Sequence, residues 1–314
     1  FHEPGLARWV RAGLDARRYE AVLVYSSAMA AYVPPQPSGP LCILDMVDVD
    51  SEKWRAYAAS GSGPKRLVWA REARTLLAFE RRAAAQFDRT LLVSSQEAQT
   101  FAALAPEVAS RIDWVENGVD VARFDPAADW PDPFATGAPA IVFTGTMDYR
   151  PNIEAVSFFA TDVMPRLASL SPAPHFHIVG ANPTPGVRAL AELPRVHVTG
   201  SVPDVRPYLA HAAVAVAPLR IARGIQNKVL EAMAMARPVV ASPEAHEGVR
   251  AVAGRDLLVA DGAEAMAASV TQVLAGGMPN LGATARAAVL AGHDWKATLA
   301  RLDGILAAPR IKAA

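Results

Sequence analysis

Short apolar runs alternate with longer stretches of helical periodicity along the chain, which predicts an α/β protein. Nearly continuous apolar runs, each separated from the next by a helix, are typical of parallel strands covered on both faces. The predicted strands of the first half are Ala21–Tyr25, Leu41–Asp45, Thr90–Ser95 and Ile112–Val115. Those of the second half are Ala140–Gly145, His175–Gly180, Arg195–Gly200, Ala213–Pro218 and Arg237–Ser242.

The alternation of strand and helix occurs twice, on either side of a proline-rich stretch, Asp125–Pro139. This pattern predicts two Rossmann-like domains with parallel sheets and a cleft between them. We expect the first domain at 1–122, a linker at 123–139, and the second domain, with a C-terminal helix, at 140–314. Ligands of such sheets bind outside the carboxyl ends of the strands, so the site is expected there.

Composition narrows the class of protein. The chain has 314 residues, 52% of them hydrophobic, and its net charge is zero, which argues against a general nucleic-acid binder. The one cysteine, Cys42, lies in a predicted strand, so it is expected to be a buried apolar residue. No apolar run is long enough for a membrane span, and the first residues lack the pattern of a signal peptide. These features predict a cytoplasmic location.

The stretch from Arg220 to Val240 carries the main candidate site. On a helix, Gly224, Lys228 and Glu231 fall on one face, apart from an apolar face that would pack on the core. A glycine at the start of the helix exposes backbone N–H groups, and the helix dipole adds positive charge there. The pattern therefore suits an anionic ligand such as a diphosphate. The alternative from spacing alone is a surface helix with an i,i+3 Lys–Glu pair.

Glycines also follow three predicted strands of the second half, at positions 145, 180 and 200. Glycine lets the backbone approach a ligand closely, so the series favours a phosphate or nucleotide site. Neither the glycine fingerprint of dinucleotide-binding folds nor a P-loop is present, which argues against an NAD enzyme and a P-loop NTPase.

Weaker candidates lie elsewhere in the chain. The segment 65–87 predicts a helix with a basic face, which either binds an anionic membrane surface or is simply solvated; its arginines are Arg71, Arg74, Arg81 and Arg82. Asp45 and Asp48 follow a strand and could hold acceptor hydroxyls, act as a base or be ordinary loop residues. His175 and His177 share one face of a strand, but no third ligand stands at a recognisable spacing, so no metal site is predicted.

Taken together, these motifs resemble the GT-B glycosyltransferases of retaining family four, the glycosyl transferases group 1. The resemblance rests on four stretches: VENGVD, IVFTGTMDYRPNIEAV, VTGSVPDVRPYLAHAAVAVAP and GIQNKVLEAMAMARPVVAS. With LDMVDVDSEKW in the first half, the last stretch also resembles the sugar transferases associated with exosortase and PEP-CTERM systems of exopolysaccharide-producing bacteria.

The resemblance implies a retaining transferase that takes a sugar from a nucleotide-diphosphate sugar without a bound metal or other cofactor. It implies that Glu231 holds the ribose hydroxyls, that Lys228 and the adjacent helix receive the diphosphate, and that Val202 borders the nucleobase. Lys228, Glu231 and Arg223 are the expected catalytic residues, with Lys228, the helix start and Arg220 or Arg223 stabilising the diphosphate as it leaves. The other donor-binding residues that it implies are Gly145, Gly180, Arg220, Gly224, Ile225 and Gln226. The expected acceptor is a glycan or a lipid-linked sugar, with contact to the inner face of the cell membrane.

Two departures from the family pattern bear on this reading. Arg223 stands where the family usually has a glutamate that contacts the donor sugar, so Arg223 becomes a candidate for pairing with the phosphates or with an acidic sugar. The first residues read as a mid-domain helix, so the first domain is expected to be incomplete, with about four strands. Two alternatives stay open: a non-catalytic nucleotide-sugar-binding protein and a nucleotide-sugar 2-epimerase of the same fold.

Overall fold

The computed structural model describes residues 3–35, 39–134, 137–222 and 224–307. Their strands all lie in two parallel sheets. The strands are β1 Ala21–Tyr25, β2 Leu41–Val47, β3 Arg89–Leu92, β4 Ile112–Trp114, β5 Ala140–Thr144, β6 His175–Val179, β7 Val196–Gly200, β8 Val214–Ala217, β9 Val239–Ala241 and β10 Leu258–Val259. The α/β class with parallel sheets, predicted from the apolar runs, is confirmed.

Helices follow most of the strands, and several begin where the sequence supplies a cap or a proline. Ser94, for example, accepts a hydrogen bond from the Glu97 N–H at the start of α4. The helices are α1 Pro4–Asp15, α2 Asp50–Ser60, α3 Pro64–Gln86, α4 Ser95–Leu104, α5 Arg150–Phe158, α6 Pro185–Ala189, α7 Arg206–Ala210, α8 Asn227–Ala234, α9 Pro243–His246, α10 Gly262–Leu274, α11 Leu281–Gly292 and α12 Trp295–Ala307.

The first compact unit comprises 1–116 and 299–314. Its described part holds a four-stranded sheet in the order β1-β2-β3-β4, which agrees with the expected number of strands. Leu44 and Leu92 of this sheet pack against Phe87 and Phe101, and all four side chains are almost fully buried. Cys42 is buried in the same core, as predicted.

The second compact unit, 117–298, holds a six-stranded sheet in the order β10-β9-β8-β5-β6-β7. The chain enters in the middle of the sheet at β5, extends it through β6 and β7, and then crosses to β8 on the other side of β5. The direction of winding therefore reverses beside β5, and such a reversal leaves a crevice at the carboxyl ends of the strands. Phe159 and Phe176, whose ring centroids lie 4.5 Å apart, form part of its fully buried core.

The predicted domain boundaries stay a prediction, and the observed division differs from them at two places. The predicted linker includes Phe124 and Trp130, which pack against the core of the second unit. The last helix was expected in the second domain. The division falls within α12, and Leu302 and Ile305 pack with Ile43 and other residues of the first unit. Within the described residues, no helix has both the length and the apolar composition that crossing a membrane requires.

Candidate donor-binding site

A cleft of about 600 Å³ opens at the carboxyl ends of β5 and β6 and at the start of α8, all within the second unit. It lies at the reversal of winding beside β5, where the topology of a parallel sheet places ligands. Its lining is Thr144, Gly145, Thr146, Tyr149, Asn152, Gly180, Ala181, Ser201, Val202, Val205, Ile225, Gln226, Asn227, Lys228 and Glu231. The structure therefore brings together seven of the ten residues proposed from sequence for donor binding and catalysis.

The two strand-end glycines of the cleft pack directly against each other. The Gly145 N–H donates to the Val179 carbonyl, and a side chain at Gly180 would place its Cβ 1.7 Å from the Gly145 carbonyl oxygen. From the sequence, each of these glycines was expected to let a ligand approach the backbone closely. The structure shows instead that Gly180 is required for close approach of the two backbones, which sets the floor of the cleft. Gly200, the third glycine of the series, is not part of the lining.

Helix α8 begins at Asn227, three residues later than the pattern predicted. Gly224 precedes it with a φ of 63°, a left-handed conformation that glycine adopts without strain, so the chain bends before the helix starts. No side chain caps the helix, and the first turn leaves the N–H groups of Asn227 and Lys228 without an acceptor inside the helix. Both residues line the cleft, so the helix still directs its positive end toward it.

Lys228 is the cation of the cleft. Its Nζ lies 3.4 Å from the Gln226 side-chain oxygen and 5.4 Å from the centre of the Phe143 ring. Burial lowers the pKa of the Lys228 ammonium to about 8, and the nearby Glu231 carboxylate opposes this only in part. A cation held with so few polar partners gains more from an anionic ligand than a solvated one would.

Glu231 lies one turn further along α8 and also faces the cleft. Burial raises its pKa to about 7, while the positive charges of Lys228 and Arg123 act in the opposite direction. Among the described salt bridges, none joins Lys228 to Glu231. The i,i+3 surface pair that the spacing allowed is therefore not what these residues form.

Several polar residues of the cleft were missed by the sequence analysis. Thr146, Tyr149, Asn152 and Ser201 lie in loops or at a helix start, within stretches that carry the family resemblance, but the resemblance gave them no role. Asn152 is almost fully buried, and its side-chain N–H donates to the Thr146 carbonyl at 2.9 Å, which fixes the loop after β5. The sequence could have indicated these residues only by their position, because they follow the ends of parallel strands, on the side of the sheet where ligands bind.

Two of the proposed donor residues that the structure describes, Gly224 and Arg220, are not in the lining of the cleft. Gly224 lies just before Ile225, which does line it, and Arg220 instead places its guanidinium 5.9 Å from the centre of the Phe158 ring. Arg223 lies outside the described residues.

The acceptor-side candidates lie on the first unit, at the end of β2. Burial raises the pKa of Asp45, and the Val47 N–H donates to its carboxylate at 3.1 Å. Val47 has a φ of 70°, an unusual conformation for a β-branched residue, at the irregularity between β2 and β3. Asp48 follows directly, and Asp50 is the first residue of α2.

Buried carboxylates fix the start of α2 beside these aspartates. Glu80 of α3 accepts bonds from the Ser51 backbone N–H at 3.1 Å and from the Ser51 hydroxyl at 2.5 Å. Glu97 of α4 accepts from the Val49 N–H at 2.9 Å. Burial raises the pKa of Glu80 to about 7, although the bonds from Ser51 oppose the change.

The basic face predicted on 65–87 is exposed along α3, but salt bridges neutralise part of it. Arg81 forms a two-point ion pair with Glu107, at 2.7 and 3.0 Å, and Arg71 lies 3.3 Å from Glu72.

Within the described chain, no three metal-ligating side chains converge on the donor cleft; the one group of this kind is a histidine cluster on β6 and β7.

Comparison with known proteins agrees with the geometry of the second unit. Residues 138–276 match the model of the family described as glycosyl transferases group 1. Curated proteins, in contrast, include no match to this chain.

Solved glycosyltransferase-like structures share the fold of nearly the whole chain. Sucrose-phosphate synthase from Thermosynechococcus elongatus is 18% identical, with a TM-score of 0.72 over 96% of this chain and 76% of that one. Anabaena HepE in complex with UDP and glucose is 13% identical, with a TM-score of 0.72 over 98% and 82%. A glycosyltransferase from Rickettsia africae is 13% identical, with a TM-score of 0.69 over 96% and 80%.

These identities are low, so the solved structures show the fold alone, which is GT-B. The match to the glycosyl transferases group 1 family covers residues 138–276, which is less than half of the chain.

Proposed function

We propose that the protein is a retaining glycosyltransferase that moves a sugar from a nucleotide-diphosphate sugar to an acceptor in bacterial exopolysaccharide or cell-surface glycan synthesis. The observation that carries the proposal is the pair Lys228 and Glu231. Both face one cleft from the first two turns of α8, both are desolvated, and no salt bridge joins them. Such groups are available to a ligand that offers one anionic part and one set of hydroxyls.

In this proposal the donor diphosphate lies at the start of α8. The N–H groups of Asn227 and Lys228 and the Lys228 ammonium supply the positive charge that it needs. Glu231, one turn deeper, accepts hydrogen bonds from the ribose hydroxyls. Val202, which also lines the cleft, borders the nucleobase, and Gly145 lies beside the diphosphate and the sugar.

The same groups would act in the chemical step. As the bond between the sugar and the diphosphate breaks, negative charge grows on the leaving phosphate oxygen, and the sugar takes on oxocarbenium character. Lys228 and the helix end stabilise that charge more strongly in the transition state than in the bound donor. The acceptor hydroxyl attacks the same face of the sugar, which retains the anomeric configuration.

Two comparisons support a nucleotide-sugar donor. Anabaena HepE, which shares the fold, has been crystallised with UDP and glucose and with UDP-glucose.

Arg223 leads to a separate proposal, because it stands at the position where the family usually has a glutamate. We propose that the Arg223 guanidinium pairs with the phosphates of the donor or with a negatively charged group on its sugar, and that this contact selects the donor sugar.

The acceptor side of the proposal rests on residues of the first unit. Asp45 and Asp48 follow β2 as candidates to orient or deprotonate an acceptor hydroxyl. Exposed arginines on α3 support contact with anionic lipid at the inner face of the cell membrane, where a lipid-linked acceptor would lie, although Glu107 already neutralises Arg81. The likeness of LDMVDVDSEKW to transferases of exosortase and PEP-CTERM systems supports exopolysaccharide synthesis.

The proposal is tested by screening UDP-, GDP- and ADP-sugars by thermal shift, because a ligand at 100 times its Kd stabilises the fold by about 2.7 kcal/mol. The donor that binds is then incubated with lipid-linked and soluble glycan acceptors, and the products are examined by NMR. We expect a glycoside whose anomeric configuration matches the donor. An inverted product would refute the retaining mechanism. An epimerised free sugar nucleotide would indicate the 2-epimerase, and binding without turnover a non-catalytic binder.

A further inference from the structure

Three histidines of the second unit meet on one face at the edge of its sheet. His175 and His177 alternate along β6, so their side chains point to the same side. The neighbouring strand β7 is the outermost strand of the sheet, and its pairing register sets His197 directly opposite His177. The third ligand, which the sequence analysis did not find, is thus supplied by the register between two strands.

The three imidazoles are close enough to share one ion. The Nδ1 atom of His175 lies 2.8 Å from Nε2 of His197, and one ring nitrogen from each histidine falls within 4.8 Å of the others. A tetrahedral zinc ion with bonds of 2.0–2.1 Å holds its nitrogens about 3.3 Å apart. The 2.8 Å distance is shorter than this value and the 4.8 Å limit is longer, so small changes in the side-chain torsions are the adjustment that a shared ion requires.

The surroundings orient the rings and leave the cluster open to solvent. The Phe134 ring packs on His177 with centroids 4.4 Å apart, which limits its rotation, whereas His175 and His197 are only half-buried, so an ion can enter from solvent.

We propose that His175, His177 and His197 form a binding site for a divalent transition-metal ion, with Zn²⁺ as the preferred ion and a water molecule in the fourth position. Three histidines with one open position are an established arrangement for tetrahedral zinc. The three rings stack on one another, and one hydrogen bond joins His175 to His197.

The site is separate from the donor cleft. His175 is the first residue of β6, whereas Gly180, at the other end of the strand, lines the cleft. At about 3.3 Å per residue, His177 is about 10 Å from that end. The ion therefore does not reach the donor diphosphate. It joins the edge strand β7 to β6, and its effect is expected on the stability of the second unit.

Metal binding is measured on the full chain without a histidine tag, after dialysis against a chelator. Calorimetry with ZnCl₂ gives stoichiometry and affinity, and CoCl₂ gives the visible absorption of tetrahedral cobalt. We compare the wild type with His197→Gln and His175→Gln. His246→Gln is the matched control, because His246 lies outside the cluster and bonds to the Ala251 carbonyl.

We expect one Zn²⁺ per chain in the wild type and in His246→Gln, and an affinity at least about tenfold lower in each cluster variant. Zn²⁺ should raise the unfolding temperature of the wild type and of His246→Gln, and by less that of the two cluster variants, and UDP binding should be equal in all variants. Equal Zn²⁺ affinity in wild type and His197→Gln would overturn the proposal. If a variant does not fold, NMR of the wild type decides, because imidazole signals of the three histidines that do not respond to Zn²⁺ would overturn it as well.

Discussion

Replacing Lys228 with methionine should change binding and stability in opposite directions. Methionine keeps most of the length of the side chain and removes the charge, so the packing around the Phe143 ring is largely preserved. Burial lowers the Lys228 pKa from its ordinary 10.5 to about 8, which shows that the folded protein holds this charge at a cost. Because one pKa unit corresponds to 1.36 kcal/mol, Lys228→Met should raise the free energy of unfolding near pH 7 by about 1–3 kcal/mol.

The same substitution should weaken binding of a nucleoside diphosphate. A charge-assisted hydrogen bond contributes about 1.5–3 kcal/mol, which corresponds to a loss of affinity of roughly 10–100-fold. The wild-type affinity should also fall as the pH rises above about 8, where Lys228 loses its proton. Lys228→Met should show no such fall.

Calorimetry with UDP, GDP and ADP between pH 7 and 10, together with urea denaturation, measures both effects. The unfolded chain binds the Lys228 proton more tightly than the folded chain, so wild-type stability should rise with pH between about 8 and 10.5 relative to Lys228→Met. A folded Lys228→Met protein with unchanged diphosphate affinity would refute the assignment of the site. Reduced stability of the variant at pH 7 would refute the argument from desolvation.

Three further predictions concern other residues. Glu231→Ala should lower the affinity for UDP by about 10–100-fold, and Glu231→Gln should lower it by less. Neither variant should change the affinity for 2′-deoxy-UDP much. Equal losses of affinity for both ligands, measured by calorimetry, would contradict a contact between Glu231 and the ribose. Burial raises the Glu80 pKa from 4.5 to about 7, so its contribution to stability is fully present below about pH 4.5 and lost as the pH rises through 7. In Glu80→Gln the glutamine side chain can still accept a hydrogen bond from Ser51, but the pH dependence of stability measured by urea denaturation should be lost. An unchanged pH profile in the variant would contradict the raised pKa of Glu80. Leu23 is 53% exposed on the edge strand β1, where a second copy of the chain could pair with the strand. Leu23→Lys should therefore reduce self-association in sedimentation velocity, whereas the control Leu67→Lys, on a helix surface, should not. Equal effects of the two substitutions would argue against pairing through β1.

Strands were the most predictable part of the fold, because a buried parallel strand leaves a continuous apolar run. The run Ala21–Tyr25 matches β1 residue for residue. Strand β10 was missed because Leu258 and Val259 are too short a run to show a pattern. The start of α8 was misplaced because Gly224 and Ile225 fit a helical period, whereas the backbone at Gly224 turns left-handed before the helix begins.

The site was predictable only where one segment carries its chemistry. Lys228 and Glu231 share a helix, so their spacing placed them on one face correctly. Contacts between segments were not visible in the sequence. The register that sets His197 against His177 is one such contact, and the packing of Gly180 on the backbone of residue 145 is another.

The central claim is that the start of α8 receives the diphosphate of a nucleotide-sugar donor. Amide NMR of ¹⁵N-labelled protein titrated with UDP, GDP and ADP tests it most directly. The account predicts large, saturable shifts for the amides of Gly145, Asn227 and Lys228 with at least one of these nucleotides, and small shifts in the first unit. Saturable binding that leaves the Asn227 and Lys228 amides unchanged would contradict it.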